Sequence, residues 1–172
     1  MRPKNIKLTL YLAAPLFSKS ELDYNFKLAA KLQKYFNIFL PQRDGGLMLQ
    51  YIKSGMSVQE ASRVVFDIDI DAIDKSDVVL AILDGRTVDE GVAVEVGYAY
   101  AKKIPCIGFQ TDPRRLLPVG NNPMVTNVLE VIFQDEKSLL SWAASGCGFR
   151  RTSPDSPLDD FRVSDCNTLS SK

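Results

Sequence analysis

A carboxylate stands where ordinary packing has no use for one. Glu95 lies within Val92-Ala93-Val94-Glu95-Val96-Gly97-Tyr98-Ala99, a run that otherwise reads as a helix buried against a sheet. Taking an ionised carboxylate out of water is costly unless partners compensate, so such a Glu points to a reactive group. An apolar, strand-like run at 77–83 and a loop at 84–90 come just before it. That order puts Glu95 near the carboxyl edge of a strand, where open α/β sheets bind ligands. The plainer alternative is a structural carboxylate paired with Lys102 or Arg43.

One absence bounds the chemistry. The 172 residues include no histidine, which removes Ser-His and Cys-His nucleophile pairs and every histidine-bound metal site. Acid-base or covalent work must come from Asp, Glu, Tyr, Lys or Cys. Cys106, Cys147 and Cys166 are scattered in neither a metal motif nor a disulfide framework, and Cys106, inside an apolar strand, reads as core. Carboxylates are the plentiful candidates. Among them, Asp67, Asp69, Asp71 and Asp74 fall on one helical stretch, where a spacing of two cannot place all on the same side. No Gly-x-Gly-x-x-Gly follows the first strand, so no redox cofactor is expected, nor any metal.

Acidic and basic residues balance at 21 each. There is no electrostatic footprint for a polyanion, which disfavours nucleic acid as a partner. No apolar run approaches the roughly 20 residues of a membrane span. The N-terminus leads into a strand without a signal-peptide pattern, so a reducing, cytoplasmic setting is expected.

The elements that must position these groups follow from periodicity. Residues 6–13 alternate as a first strand. A loop at 14–18 leads to a helix at 21–36, with Ser18 or Ser20 as its cap. Residues 37–40 form a short strand ended by Pro41, and 42–54, holding Arg43-Asp44-Gly45-Gly46, read as a long functional loop. A helix spans about 57–75, and 77–83 read as an apolar strand buried on both faces, as in parallel sheets. The Glu95 helix covers about 90–103, a strand follows at 105–109, and 111–123 are loop. A last strand at 127–133 and a last helix at 136–144 complete the series. Gly45 and Gly46 read as serving a turn, Gly97 as letting helix approach sheet, and Trp142 and Phe133 as packing. This alternation predicts an α/β, doubly wound, flavodoxin-like five-stranded parallel sheet flanked by helices. The domain is expected over residues 1–145, with a flexible Ser-, Asp-, Pro- and Arg-rich tail at 146–172.

Four segments fall at strand ends on one edge of such a sheet. They are Tyr11-Leu12-Ala13-Ala14-Pro15-Leu16-Phe17, Pro41-Gln42-Arg43-Asp44-Gly45, residues 84–95, and Asn121-Asn122-Pro123-Met124 through Asn127. With Asp67-Ile68-Asp69-Ile70-Asp71, this ordered set resembles the nucleoside 2-deoxyribosyltransferase family over about residues 6–142. The most specific piece is Asp89-Glu90-Gly91 with Glu95 six residues after Asp89, followed by Gly97-Tyr98-Ala99.

The resemblance implies base exchange between a 2'-deoxynucleoside donor and a free nucleobase acceptor. The family's nucleophile falls on Glu95 and the Tyr that orients it on Tyr11. Its sugar-hydroxyl ligand falls on Asp89 and its base-contacting Asp on Asp69. An Asn lent by a neighbouring subunit best matches Asn127, which implies a homo-oligomer, from dimer to hexamer. Gln42 and Asp44 lie where the family's base-contacting loop lies, and Ala13, Phe17 and Gly91 are further substrate-binding candidates within the matching motifs.

The physics agrees. Breaking an N-glycosidic bond builds positive charge on C1' and the ring oxygen, which a carboxylate stabilises or captures as an ester; two inversions give retention. The leaving base needs a proton, which Asp69 supplies if its neighbours raise its pKa. Glu95 must stay ionised, helped by Tyr11 and the nearby helix N-terminus. Phe17 and Met48 are expected to cover the site against water.

The residues also fit two rival readings. One is a hydrolase of deoxynucleosides or their 5'-monophosphates, although Ala13-Ala14-Pro15-Leu16-Phe17 offers little to a phosphate. Another is a non-catalytic nucleotide-binding module. Asp89 could simply cap a helix, Tyr11 pack in a strand, and Asn127 satisfy backbone at a strand start.

Overall fold

Alternation along the first strand decides what each face of the sheet holds. The computed structural model describes residues 7–114 and 120–146. Its elements begin with β1 (Thr9–Ala13), α1 (Lys19–Leu32), β2 (Asn37–Phe39), α2 (Pro41–Asp44), α3 (Met48–Lys53) and α4 (Val58–Asp74). They continue with β3 (Val78–Ile82), α5 (Glu90–Ala101), β4 (Cys106–Phe109), α6 (Pro123–Thr126), β5 (Ile132–Phe133) and α7 (Glu136–Ala144). The five strands pair in parallel in the order β2-β1-β3-β4-β5. This is the expected doubly wound, flavodoxin-like sheet, and its order reverses between β1 and β3, the switch point at which such sheets bind ligands.

Leu10 and Leu12 of β1 turn to one face, where Leu28 and Leu32 of α1 and Leu139 and Trp142 of α7 close the core. Tyr11 and Ala13 turn to the other, against Ile73 of α4 and Val92, Val96 and Ala99 of α5. Trp142 stacks on Phe36 at 5.7 Å and meets Phe133 at 5.6 Å, the packing role expected for Trp142 and Phe133. Cys106 is buried in β4, and burial pushes its thiol up to about 12, so it is core rather than nucleophile.

Local chemistry sets the helix starts. Ser18 with Glu21, and Ser57 with Glu60, form reciprocal capping boxes at α1 and α4. Ser18, not Ser20, is therefore the first cap. α1 stops at Leu32 rather than running to 36, because Phe36 reaches the core from the following turn.

Three further expectations need correction. The loop at 42–54 contains α2 and α3, the first started by Pro41 at its N-terminal position, where a missing N–H costs nothing. The strand expected at 127–133 shrinks to Ile132–Phe133, because Asn122 accepts from Met124 N and nucleates α6 through residue 126. Gly97 also differs: it is exposed, and a Cβ there would meet nothing within 4 Å. The expected tail beyond residue 146 lies outside the described residues.

Candidate active site

Tyr11 reaches the site through strand parity. It is fully buried at the β1–β3 switch point, paired in register with Val79 and stacked on Phe39 at 5.4 Å. A buried phenol needs a polar partner. The hydroxyl donates a hydrogen bond of 2.5 Å to Oε1 of Glu95 on α5. Tyr11 is thus more than strand packing. The pairing alternatives for Glu95 are not realised: Lys102 binds Asp74 at 3.0 Å and Arg43 binds Asp44 at 2.7 Å. Among the described residues, no cation pairs with Glu95.

Burial dominates the electrostatics of this carboxyl. Desolvation pushes Glu95 up to about 8; the Tyr11 hydrogen bond opposes the rise, and the nearby charges of Asp69 and Asp89 add to it. The ionised Glu95 expected from Tyr11 and the helix dipole is therefore not the resting form at neutral pH. The dipole contributes little because α5 begins at Glu90 and its field fades after the first turn. Tyr11 is held far above the usual phenol range by burial and by Glu95 and Asp69, so it remains a donor.

Asp69 occupies the inward side of α4. Its neighbours turn outward, Asp67 to Arg63 at 3.0 Å and Asp71 to Lys75 at 2.5 Å. Asp69 itself is half-buried, desolvation lifts it to about 6, and its Oδ1 is buried without a hydrogen-bond partner. Tyr11, Asp69, Glu95 and Asp89 thus act on one another within a single region.

Asp89 caps α5, accepting from Val92 N at 3.1 Å through Oδ1. The capping role is realised. A Cβ at Gly91 would stand 3.0 Å from that oxygen, so the glycine leaves room for the cap. Ala13 is buried at the carboxyl end of β1 opposite Ala81.

Other candidates sit apart from this group. Gln42 is committed to α1: its Nε2 donates to Leu22 O and its Oε1 accepts from Asn25, each at 2.9 Å. Asp44 accepts from Leu40 N at 2.9 Å besides pairing with Arg43. Phe17 is 80% exposed and Met48 36%, so neither covers the site in this chain. Asn127 ends α6, which packs on α5; its side chain is exposed and donates to Pro123 O at 2.8 Å. It sits after a short helix, not at a strand start.

Three features were not anticipated. Asn25, buried at a core position of α1, donates to Pro15 O as well as Gln42, joining the loop after β1 to α2. Its signal was a polar residue within the Leu22–Leu28–Leu32 apolar stripe. Asp84 accepts from Thr111 N, Thr111 Oγ1 and Asp112 N at 2.6 to 2.7 Å, tying the ends of β3 and β4. Gly45 lies against Asp69; of the two glycines expected to serve a turn, only Gly46, at φ +79°, does so. Among the described residues, no group of three His, Cys, Asp or Glu is placed to hold a metal ion, and no helix is long and apolar enough to cross a membrane.

The Tyr11–Glu95 pair thus lies at the switch point of a doubly wound α/β sheet, with Asp69 and Asp89 beside it. Residues 10–159 match the family model described as nucleoside 2-deoxyribosyltransferase, and the chain belongs to that family. A conserved protein from Enterococcus faecalis V583 superposes with a TM-score of 0.69 at 26% identity, covering 81% of this chain and 99% of that one. The 2-deoxyribosyltransferase from Bacillus psychrosaccharolyticus does so at 0.63 and 24%, covering 77% and 90%. That from Leishmania mexicana follows at 0.56 and 22%, covering 81% and 99%. The two transferases, below a quarter identical, bear on the fold alone. No curated protein matches the sequence.

Proposed function

We propose that this chain exchanges the bases of 2'-deoxynucleosides through a deoxyribosyl ester on Glu95. The observation that carries the reading is the Tyr11–Glu95 hydrogen bond at the switch point, beside Asp69 and Asp89. Family membership supports the same chemistry.

In the first half-reaction a Glu95 oxygen bonds to C1' as the C1'–N bond breaks. The bonding pair goes to the base nitrogen, which takes a proton from Asp69. In the second, a nitrogen of the acceptor base attacks C1' and the ester bond breaks. Glu95 returns as a carboxylate, and Asp69 recovers a proton from the acceptor. Two inversions leave the sugar configuration retained. Asp89 holds a sugar hydroxyl with the oxygen not used as a cap.

The protonation states required run against the resting ones. Glu95 must be ionised and Asp69 protonated, yet their carboxyls sit at about 8 and about 6. Between those values the productive microstate is a minor one in the free protein. The plateau of kcat/KM therefore spans this window. It falls below about 6 as Glu95 gains its proton with Asp69 already protonated, and above about 8 as Asp69 fails to hold its own.

The test is a two-substrate assay: deoxynucleoside plus a second base, with mass spectrometry of the protein on donor alone. The parent should yield the new nucleoside and a sugar adduct on Glu95, and Glu95→Ala neither. Unchanged exchange in Glu95→Ala would end the proposal, and free sugar as the only product would make the parent a hydrolase.

We further propose a cytoplasmic homo-oligomer in which Asn127 of one copy completes the site of the next; its exposure on α6 supports this. Mixing inactive Glu95→Ala and Asn127→Ala proteins should then restore about a quarter of the parental activity through mixed dimers. No recovery after confirmed subunit exchange would refute the sharing.

A further inference from the structure

Gly45 has an ordinary helical backbone, φ −80° and ψ −5°, so no turn geometry demands a glycine there. Space does. A Cβ would stand 2.8 Å from Asp69 Oδ1 and 2.8 Å from the Pro41 carbonyl oxygen. The four-residue α2 is too short to hold this place unaided. Its side chains anchor it: Gln42 to Leu22 O and Asn25, Arg43 Nη2 to Ile38 O at 2.7 Å, and Asp44 to Leu40 N. What the anchoring achieves is the enclosure of Asp69 Oδ1, which is buried and has no hydrogen-bond partner.

We propose that Gly45 is a positioning residue: lacking a side chain, it lets the end of α2 lie against Asp69 and exclude water, so that this carboxyl keeps the proton the leaving base needs. The inference rests on the reading of Asp69 as proton donor. Tyr11 from β1 and Glu95 from α5 interact electrostatically with Asp69, and α3, packed along α4, brings Tyr51 against Gly46 and carries Lys53. On its own helix Asp67 and Asp71 pair outward with Arg63 and Lys75, and on α2 Arg43 and Asp44 pair with each other. Dehydration is the cause that raises Asp69, so letting water in lowers it.

The experiment follows kcat/KM for base exchange against pH in the parent, Gly45→Ala, Arg43→Ala and Asp69→Asn. Carboxyl-13C NMR titration of Asp-labelled protein runs beside it, with the Asp69 signal assigned by its loss in Asp69→Asn. In Gly45→Ala the acid limb should move down by about one pH unit, the plateau should fall about tenfold with it, and the Asp69 resonance should titrate lower. Arg43→Ala, which loosens α2 without touching Asp69, should do the same in smaller degree. Loss of the Arg43 charge by itself would push the limb the other way. A merely structural defect lowers the plateau and leaves the limb in place.

An unmoved limb and an unmoved Asp69 titration in both variants would overturn the proposal. If Gly45→Ala fails to fold, Arg43→Ala decides by the same criterion. Parental exchange by Asp69→Asn would instead remove Asp69 as donor and with it Gly45's catalytic purpose. The NMR titration would still judge whether Gly45 keeps the carboxyl dry.

Discussion

Tyr11 offers Glu95 a charge-assisted hydrogen bond, and its removal separates two effects that burial combines. Such bonds contribute about 1.5–3 kcal/mol, equivalent to roughly one to two pH units on the acceptor. Desolvation already holds Glu95 at about 8 against that bond. Tyr11→Phe should therefore carry the alkaline limb of kcat/KM higher still and cut the plateau some 10- to 100-fold, because less Glu95 is ionised at any working pH. The sign is what matters: a limb that stays put or moves down in a pH-rate series would show that the phenol does not favour the carboxylate. The residue itself was legible in the sequence as a Tyr ahead of Ala13, Pro15 and Phe17, and Glu95 as an acid inside an apolar run of its helix. Its protonation was not legible. That state is the balance of burial against a single hydrogen bond, and the depth of burial is a property of the packed fold.

At the scale of elements, Asp89 serves α5 as a cap and is proposed to serve the sugar as well, and one substitution pulls the roles apart. Asp89→Ser keeps an oxygen for Val92 N, so Tm should change little, the difference between good caps being a few tenths of a kcal/mol. KM for the donor should rise several-fold or more while folding is intact, as steady-state kinetics and a thermal melt on the same sample would show. A KM equal to the parent's would leave Asp89 a cap and nothing else. Elements with local signals were the ones readable in advance. The all-apolar β3 and the Ser-x-x-Glu pairs before α1 and α4 are encoded by their own neighbours. α2 was not readable, because it is held by Arg43 reaching Ile38 and Gln42 reaching Leu22, contacts across the chain. Asn122-Pro123 did carry a helix-start signal for α6, and the strand-like residues after it hid that signal.

For the whole molecule, two lifted carboxyls tie stability to pH. In the folded state Glu95 and Asp69 hold protons up to about 8 and about 6, whereas unfolded they release them near 4.5 and 3.8. The folded form thus binds more protons in that window, and stability falls as pH rises through it, by at most about 1.4 kcal/mol per pH unit for each group. Thermal melts should show a higher Tm at pH 5 than at pH 9, and Glu95→Gln should flatten the slope; an unchanged slope would mean that Glu95 is not the group responsible. The topology itself was readable because strand and helix alternate so regularly. The pairing of a β1 tyrosine with an α5 glutamate, 84 positions apart, needed that topology before it could be inferred. The same strand also limits how this sequence can drift. Chemistry and packing are written on alternate letters from Leu10 to Ala13, one set for each side of the sheet. Losing one letter ahead of Tyr11 would turn its hydroxyl toward Trp142 and send leucines to the face that holds Glu95. Descendants of this gene can exchange letters in that stretch, but an odd-numbered gain or loss breaks the Tyr11–Glu95 pair and spoils the core in a single stroke.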